Sequence, residues 1–163
     1  MDLLEPAHNP PREVRIAQVV ARLNIGGPAI YTTMLAGHFK KGNWRSILIT
    51  GRPLKKEGEM SKLIADAPFD IVEIPTLSRE ISPVKDFLSL LHIMKALGRF
   101  RPHIVHTHTA KAGFIGRVAA KKLGIENTVH TFHGHVFSHY FNPVITKIFI
   151  NIDSERILMS IIR

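Results

Sequence analysis

Two glycines and a cluster of histidines are the residues of this sequence whose types and spacing could do chemistry. Gly26 and Gly27 follow an apolar run and precede Pro28, which suits the first turn of a helix. A glycine pair between a strand and a helix lets backbone N–H groups approach a phosphate, with the positive end of the helix dipole behind them. The fingerprint G-x-G-x-x-G and the P-loop sequence are absent, so neither a NAD site nor a P-loop is predicted. A purely structural turn is an equal alternative.

The crowding of the histidines suggests a metal site, because seven of the ten lie within residues 103–139. His106 and His108 would place both rings on one face of a strand. However, the acidic residues close by in the sequence are Glu126 and Asp153, and no metal-specific spacing is present. We therefore predict neither a metal site nor a cofactor.

The histidines differ in their position relative to the predicted strands. His103, His106 and His130 are interpreted as strand residues with satisfied side chains. His133 ends a strand beside Gly134, where a neutral imidazole could hydrogen-bond a sugar hydroxyl or a phosphate oxygen. We therefore predict that His133 contacts a ligand.

The segment THTAK, residues 107–111, is rich in hydroxyl groups and precedes a predicted helix whose first turn points toward the same crevice. Lys111 could contact a phosphate there or could simply be solvated. The residues alone favour neither interpretation.

Composition limits the class of protein. The chain has 163 residues, 45% of them hydrophobic, which is enough for one compact domain. Its 22 Lys and Arg against 13 Asp and Glu give a net charge of +9, which favours an anionic partner such as a nucleotide, a phospholipid surface or a nucleic acid. Aromatic residues do not interleave with the basic pairs, so nucleic-acid binding is disfavoured. The absence of cysteine excludes disulfides and thiolate sites and is consistent with a reducing cytoplasm.

The domain organisation predicted from the sequence is simple. Residues 1–12 are rich in proline and are interpreted as a disordered leader, and residues 13–163 as one domain. No stretch reaches the roughly 18 uninterrupted apolar residues that spanning a bilayer requires. A soluble or peripheral protein is therefore expected.

Apolar runs and helix breakers predict strands that alternate with helices. The predicted strands are residues 14–20, 46–50, 69–74, 103–107 and 128–132. The predicted helices are residues 29–39, 62–67, 83–98, 112–123 and the apolar closing segment 143–163. This order implies right-handed crossovers and an α/β fold with a Rossmann-like parallel sheet and helices on both faces. Ligands of such sheets bind outside the carboxyl ends of the strands, where the glycine pair, THTAK and His133 all fall.

Three segments, in this order, resemble the N-terminal domain of family 4 glycosyltransferases: RLNIGGPAIYTTMLAGHF, RPHIVHTHTAKAGFIGRVAAKKLGI and TVHTFHGHVFSHYF. The resemblance covers residues 14–157. It implies the GT-B architecture, in which two nucleotide-binding-like domains face each other across a cleft. The C-terminal domain grips the sugar nucleotide and the N-terminal domain takes the acceptor. The chain is therefore expected to be the N-terminal, acceptor-side half of a GT-B fold.

The resemblance also implies roles for particular residues. Gly26 and Gly27 match the glycine loop that lies against the phosphates of the donor. His133 matches the histidine that reaches the donor sugar, and His108 to Lys111 match a loop that lines the cleft. The implied substrate-binding residues are thus Gly26, Gly27, His108, Lys111 and His133, and no catalytic residue is assigned.

The implied function is retaining transfer of a hexose from a nucleotide diphosphate sugar to a glycan or lipid-linked acceptor, in polysaccharide or glycolipid biosynthesis. Family members continue for about as many residues again, so the chain is expected to be incomplete at its C-terminus and inactive without a second domain. Two alternatives stay open. They are a non-catalytic α/β ligand-binding module and part of a GT-B-type sugar-nucleotide 2-epimerase.

A stripe on the predicted helix 83–98 bears on location in the cell. Phe87, Leu88 and Leu91 lie beside Lys85 and Lys95. Together with the charge of +9, this stripe predicts peripheral attachment of a cytoplasmic protein to anionic lipid on the inner face of the membrane. The alternative is an ordinary apolar stripe that faces the core.

Overall fold

The computed structural model of the chain describes residues 13–39, 43–52, 69–78, 80–133 and 158–161, and for the last of these ranges it describes the backbone alone. The predicted leader at residues 1–12 and the predicted helix at residues 62–67 lie outside the described residues.

The described residues form six strands and three helices in alternating order. The elements are β1 (Val14–Val20), α1 (Gly27–His38), β2 (Trp44–Thr50), β3 (Asp70–Glu73), α2 (Pro83–Phe100), β4 (Ile104–His108), α3 (Ala110–Lys122), β5 (Asn127–Phe132) and β6 (Leu158–Ile161). The strands pair in the order β3-β2-β1-β4-β5-β6, and every pair is parallel. The predicted Rossmann-like parallel sheet is confirmed.

The prediction of a helix over residues 143–163 is wrong for its last part. Leu158–Ile161 forms β6, which pairs with β5 so that Val129 lies opposite Leu158. A short apolar run does not distinguish a strand from a helix by periodicity, and here the open edge of β5 offered a ladder of backbone partners. Residues 143–157 lie outside the described residues.

Helix α2 is longer than predicted, because it does not end at Gly98. A glycine inside a helix costs only about 1 kcal/mol, which the packing of Leu97 in the core offsets. The last helical residue is instead Phe100, and Arg101 is the C-cap. The backbone of Arg101 is left-handed with φ 51°, and its N–H donates to the carbonyl of Leu97 at 2.8 Å.

The two faces of the sheet are covered differently. Alternate strand residues such as Ala17, Val19, Ile47, Ile49 and Val105 pack against α2 and α3, and together they make the larger apolar core. We call this side the α2/α3 face. On the opposite side, the α1 face, the buried apolar cluster consists of Val20, Leu23, Ala29 and Leu48. Helices therefore lie on both faces, as predicted.

The outer side of α2 is apolar and exposed. Ser89, Ile93 and Leu97, spaced one turn apart, are the buried residues of the helix. Phe87 is 60% exposed and Leu91 is 46% exposed, so the alternative that this stripe faces the core is wrong. Within the described residues, no helix has the length and apolar character needed to cross a membrane.

The order of the strands locates the crevice in which ligands of such sheets bind. The chain proceeds outward from β1 through β2 to β3, then crosses back to β4 on the other side of β1. The direction of winding reverses between β1 and β4, and the carboxyl ends of these two strands flank the crevice. The loop after β1, the end of β4 and the residue after β5 all lie at this edge.

Candidate functional site

A cluster of polar side chains lies on the α1 face at the carboxyl ends of the strands. It contains Gln18 of β1, His106 and His108 of β4, Thr131 of β5, and His133 directly after β5. Successive strand residues point to opposite faces, so the i, i+2 spacing of the two β4 histidines puts both rings on the same side as Gln18. All of them except His133 are buried.

Hydrogen bonds connect three of these side chains in a line from β1 to the end of β5. Nε2 of His108 lies 2.6 Å from Oε1 of Gln18, and Nδ1 of the same ring lies 3.1 Å from Nε2 of His133. Beside this line, Nε2 of His106 lies 2.7 Å from the hydroxyl of Thr131. The ring of His106 lies against that of His108, with their centroids 4.1 Å apart. The cluster is thus held by defined contacts rather than by the shape of the fold alone.

Tyr31 connects this cluster to α1. Its ring meets those of His108 and His133 edge-on, with centroid distances of 5.9 and 5.4 Å. Tyr31 lies one helical turn after Gly27, so the first turns of α1 lie beside the end of β5. The glycine pair and His133 therefore lie near the same crevice.

The three histidines of the site are held neutral near pH 7. Burial, followed by the positive charge that His133 can carry, lowers the pKa of His106 to about 4. Burial, followed by the neighbouring His106, His133 and His130, depresses the pKa of His108 far below its ordinary value. Burial also lowers the pKa of His133. A neutral imidazole has one N–H donor and one acceptor nitrogen, so each ring has a defined polarity.

His103 and His130 have structural partners, as predicted, whereas His135 and His139 lie outside the described residues. His103 accepts a hydrogen bond on Nδ1 from the backbone N–H of Arg15 at 2.9 Å. His130 lies on the α2/α3 face, where its Nδ1 is 2.9 Å from the hydroxyl of Thr107. Burial and then the charge of Arg117 lower its pKa to about 3. His106 is also hydrogen-bonded, but its ring packs on His108 and so supports the site.

The glycine pair forms the predicted turn from strand to helix. Gly26 is the N-cap of α1 with an extended φ of 176°, and Gly27 is the first residue of the helix. Among the described residues, a Cβ on Gly27 would meet nothing within 4 Å, and one on Gly26 would make only an ordinary contact of 3.5 Å with Asn24. Neither backbone conformation nor packing therefore requires glycine here. Gly27 is exposed, and no described residue occupies the space that a side chain at this position would take.

Two predicted ligand contacts are placed differently from expectation. His108 is the last residue of β4 rather than part of a loop, and its side chain is completely buried. It reaches the crevice through His133. Lys111 has partners within the domain, because its Nζ pairs with Asp86 of α2 at 2.5 Å and also donates to the carbonyl of Glu80. This ion pair ties the first turns of α2 and α3 together.

Sequence reasoning missed Gln18 and Tyr31. One signal was available for Gln18, because an amide inside the otherwise apolar run VRIAQVV costs free energy unless it is hydrogen-bonded. Tyr31 carried no comparable signal. Within the part of the chain that the structure describes, no three or more His, Asp or Glu side chains are grouped as metal ligands.

Comparisons with known proteins concern the family and the fold of the chain. The model of Glycosyltransferase Family 4 matches residues 25–157. A UDP-Gal:alpha-D-GlcNAc-diphosphoundecaprenol alpha-1,3-galactosyltransferase of Escherichia coli is 47% identical over 64 residues, which are 39% of this chain and 16% of that protein.

Solved structures share the fold at low sequence identity. The crystal structure of MurG of Acinetobacter baumannii superposes with a TM-score of 0.61 at 11% identity, covering 91% of this chain and 45% of that one. A UDP-GlcNAc 2-epimerase of Neisseria meningitidis, solved with UDP-GlcNAc bound, gives 0.57 at 12% identity, covering 90% and 46%. These likenesses show the GT-B type of fold alone. The chain spans less than half the length of either protein.

Proposed function

The chain belongs to glycosyltransferase family 4, and on that premise we propose that it forms the acceptor-side half of a retaining transferase. The transferred group is a hexose, the donor a nucleotide diphosphate sugar and the acceptor a glycan or a lipid-linked sugar, in polysaccharide or glycolipid biosynthesis. The name of the E. coli relative supports these classes, because it gives UDP-Gal as donor and a diphosphoundecaprenol-linked GlcNAc as acceptor. Retention of the anomeric configuration is inferred from the family resemblance.

One observation carries the donor part of the proposal. The open N-terminus of α1 and the half-buried ring of His133 lie beside each other at the crevice edge of the sheet, connected by Tyr31. The turn itself does not require glycine at positions 26 and 27. We infer that the missing side chains leave room for a ligand to approach the backbone. Backbone N–H groups at a helix N-terminus, with the helix dipole behind them, suit a diphosphate.

Different residues of the site bind different parts of the donor. Gly26 and Gly27 hold the diphosphate through their backbone, and His133 hydrogen-bonds the hexose. Positive charge in the chain raises the local concentration of the anionic donor. A second domain across the cleft completes the site, because transfer requires donor and acceptor to be fixed together with water excluded. The chain alone should therefore turn over no sugar nucleotide.

The test is turnover of a sugar nucleotide by the chain alone and by the chain paired with the sugar-nucleotide domain of a family 4 transferase. His133→Ala and Gly27→Val in the pair should each lower turnover by about tenfold or more, since each removes or blocks a contact to the donor. The unfolding midpoints of both variants should stay near that of the wild type. Robust turnover by residues 1–163 alone, or unchanged turnover by the His133→Ala pair, would remove this proposal.

The exposed side of α2 supports a second part of the proposal, which is peripheral attachment at the cytoplasmic face of a membrane. Its exposed large apolar residues are Val84, Phe87, Leu88 and Leu91, and together with the exposed Ile81 just before the helix we call them the α2 patch. Lys85 lies within the patch, and Lys95 and Arg99 follow on the same exposed helix. Apolar side chains flanked by basic ones suit an interface of acyl chains and anionic headgroups. A lipid-linked acceptor would be found at the same surface.

Vesicle sedimentation tests this attachment with a matched control. Phe87→Ser with Leu91→Ser should lower the fraction of chain that sediments with vesicles containing phosphatidylserine, because buried apolar area is lost. Met34→Ser changes a residue on α1 that is even more exposed, at 70%, and should leave that fraction unchanged. Raising the salt concentration should release the wild type in part. If the α2 double variant and Met34→Ser lowered the sedimented fraction equally, or if salt did not change that fraction, attachment through the α2 patch would be contradicted.

A further inference from the structure

The line of hydrogen bonds from Gln18 to His133 determines more than the position of a ring. Gln18 and His108 are both completely buried, so water does not exchange the roles of donor and acceptor between them. The side-chain oxygen of Gln18 can only accept. The hydrogen of the neutral His108 ring must then be on Nε2, 2.6 Å from that oxygen.

The position of the hydrogen on His108 determines the position of the hydrogen on His133. With its hydrogen on Nε2, His108 presents a lone pair on Nδ1, which faces Nε2 of His133 at 3.1 Å. That contact is a hydrogen bond only if Nε2 of His133 is the donor. A neutral His133 then has no hydrogen on Nδ1, and no described residue is hydrogen-bonded to this nitrogen. The ring nitrogen available to a ligand is therefore an acceptor.

We propose that Gln18 and His108 are positioning residues that hold His133 in the Nε2–H tautomer, so that its Nδ1 accepts a hydrogen bond from a ligand hydroxyl. This inference rests on the proposed function and refines it. A lone pair repels the oxygens of a phosphate and attracts the hydrogen of an alcohol. His133 is thus a contact for the hexose and not for the diphosphate, and the two ligand parts are read by different residues of the crevice.

The opposite arrangement of hydrogens along this line would require the side-chain amide of Gln18 to rotate by about 180°. Nε2 of Gln18 has no hydrogen-bond partner among the described residues. If the amide turned over, Nε2 would donate to His108, whose Nδ1–H would donate to His133. The Nδ1 of His133 would then carry the hydrogen and suit a phosphate oxygen. The side-chain amide of Gln18 on β1 therefore sets which kind of group the site recognises at the end of β5.

The tautomers can be measured directly in the ligand-free chain. Two-bond 1H–15N correlation spectra of the chain labelled with 15N-histidine distinguish protonated from unprotonated ring nitrogens, and His133→Gln identifies the signals of that ring. We expect both His108 and His133 to carry hydrogen on Nε2. A hydrogen on Nδ1 of His133 in the wild type would overturn the proposal without any variant that affects folding.

Two variants separate the line of hydrogen bonds from general packing. Gln18→Met keeps the volume but removes the acceptor, so His133 should become a mixture of tautomers. Thr131→Val removes the hydroxyl that contacts His106, which is outside the line, and should leave His133 unchanged. A tautomer of His133 that is unaffected by Gln18→Met, or affected equally by both substitutions, would contradict the proposal.

Binding of UDP-galactose and of UDP measures the consequence for recognition. Gln18→Met should weaken UDP-galactose by about threefold to tenfold, the effect of one neutral hydrogen bond, and should leave UDP unchanged. Equal weakening of both ligands would contradict the assignment of His133 to the hexose. If neither ligand binds the wild type, the proposed function fails and the hexose assignment fails with it, whereas the tautomer is still decided by the spectra.

Discussion

On the α2/α3 face the strands present Val19, Ile47 and Ile49 to the buried Ile93 and Leu97, whereas on the α1 face the same sheet presents Gln18 and a row of histidines. Both faces are covered by helices, but the larger apolar core lies on the first and the α1 face has only a small apolar cluster. Burying an amide or an imidazole costs free energy unless each polar atom is hydrogen-bonded. The α1 face meets this requirement largely with contacts that end at His133, beside the open N-terminus of α1.

The two faces of the sheet differ in what they contribute: one supplies stability and the other ligand recognition. Loss of apolar burial on the α2/α3 face should unfold the chain. Changes at the crevice end of the α1 face should instead alter binding while the fold persists. The same distinction applies to the glycines, since some are required by packing and others leave space for a ligand.

The largest effect is expected for Leu97→Ala on α2. Leu97 is completely buried in the core of the α2/α3 face, so the substitution should lower the free energy of unfolding by about 2–5 kcal/mol. Leu88→Ala on the same helix is the control, because Leu88 is 40% exposed and should cost much less. Urea unfolding followed by circular dichroism gives both values. Similar losses for the two variants would mean that the two sides of α2 are not distinct.

A smaller effect is expected for Gly113→Ala on α3. A Cβ at this position would collide with the ring of His130, so crowding should lower the free energy of unfolding by about 1–3 kcal/mol. Gly27→Ala is the matched change in α1, where no residue that the structure describes lies within 4 Å of the new Cβ. It should leave stability unchanged or raise it by about 0.4–1 kcal/mol. If Gly27→Ala proved as destabilising as Gly113→Ala, the glycine pair would have a structural role.

The buried histidines predict that the chain is less stable in acid. Their pKa values are lower in the folded than in the unfolded chain, so the unfolded chain binds protons first as the pH falls below 6.5. The contribution of these neutral rings to the free energy of unfolding is therefore fully present above about pH 6.5 and is lost as the pH falls. From there toward pH 4, His106 should contribute a loss of roughly 1.4 kcal/mol per pH unit.

His106→Asn should flatten the dependence on pH by about that amount, with unfolding measured in urea at several pH values. Thr131→Val keeps the ring and serves as the control, because it retains the titrating group and loses only the hydroxyl. A slope in His106→Asn equal to that of the wild type would show that His106 is not neutral in the folded chain.

Part of this architecture could be predicted from sequence because local patterns determine it. The apolar runs and the glycine turn after Val20 are sufficient to predict alternating strands and helices. The contacts of the site are different in kind. Gln18 and His108 are 90 residues apart in sequence, and nothing local shows that β1 and β4 are neighbours. The ion pair of Lys111 with Asp86 depends in the same way on how α2 meets α3.

The exposed stripe of α2 shows a further limit. Apolar spacing predicts that a helix has an apolar side, but Phe87 and Leu97 both belong to that pattern and only Leu97 is buried. Which residues face the core depends on where the helix lies on the sheet. The strand β6 was missed because an apolar segment suits either structure until the edge of β5 is known.

Binding of the diphosphate and the sugar at the crevice edge beside α1 can be measured by titrating the 15N-labelled chain with UDP-galactose. We expect the amide signals of Gly26, Gly27 and His133 to shift together, with a dissociation constant of roughly millimolar order, because a few exposed hydrogen bonds contribute little in water. A groove of about 490 Å³ between β3 and α2, lined in part by Glu73, His92 and Arg99, is the competing location. Shifts confined to that groove, or no shift at the glycine pair and His133, would contradict binding of the donor at the crevice edge beside α1.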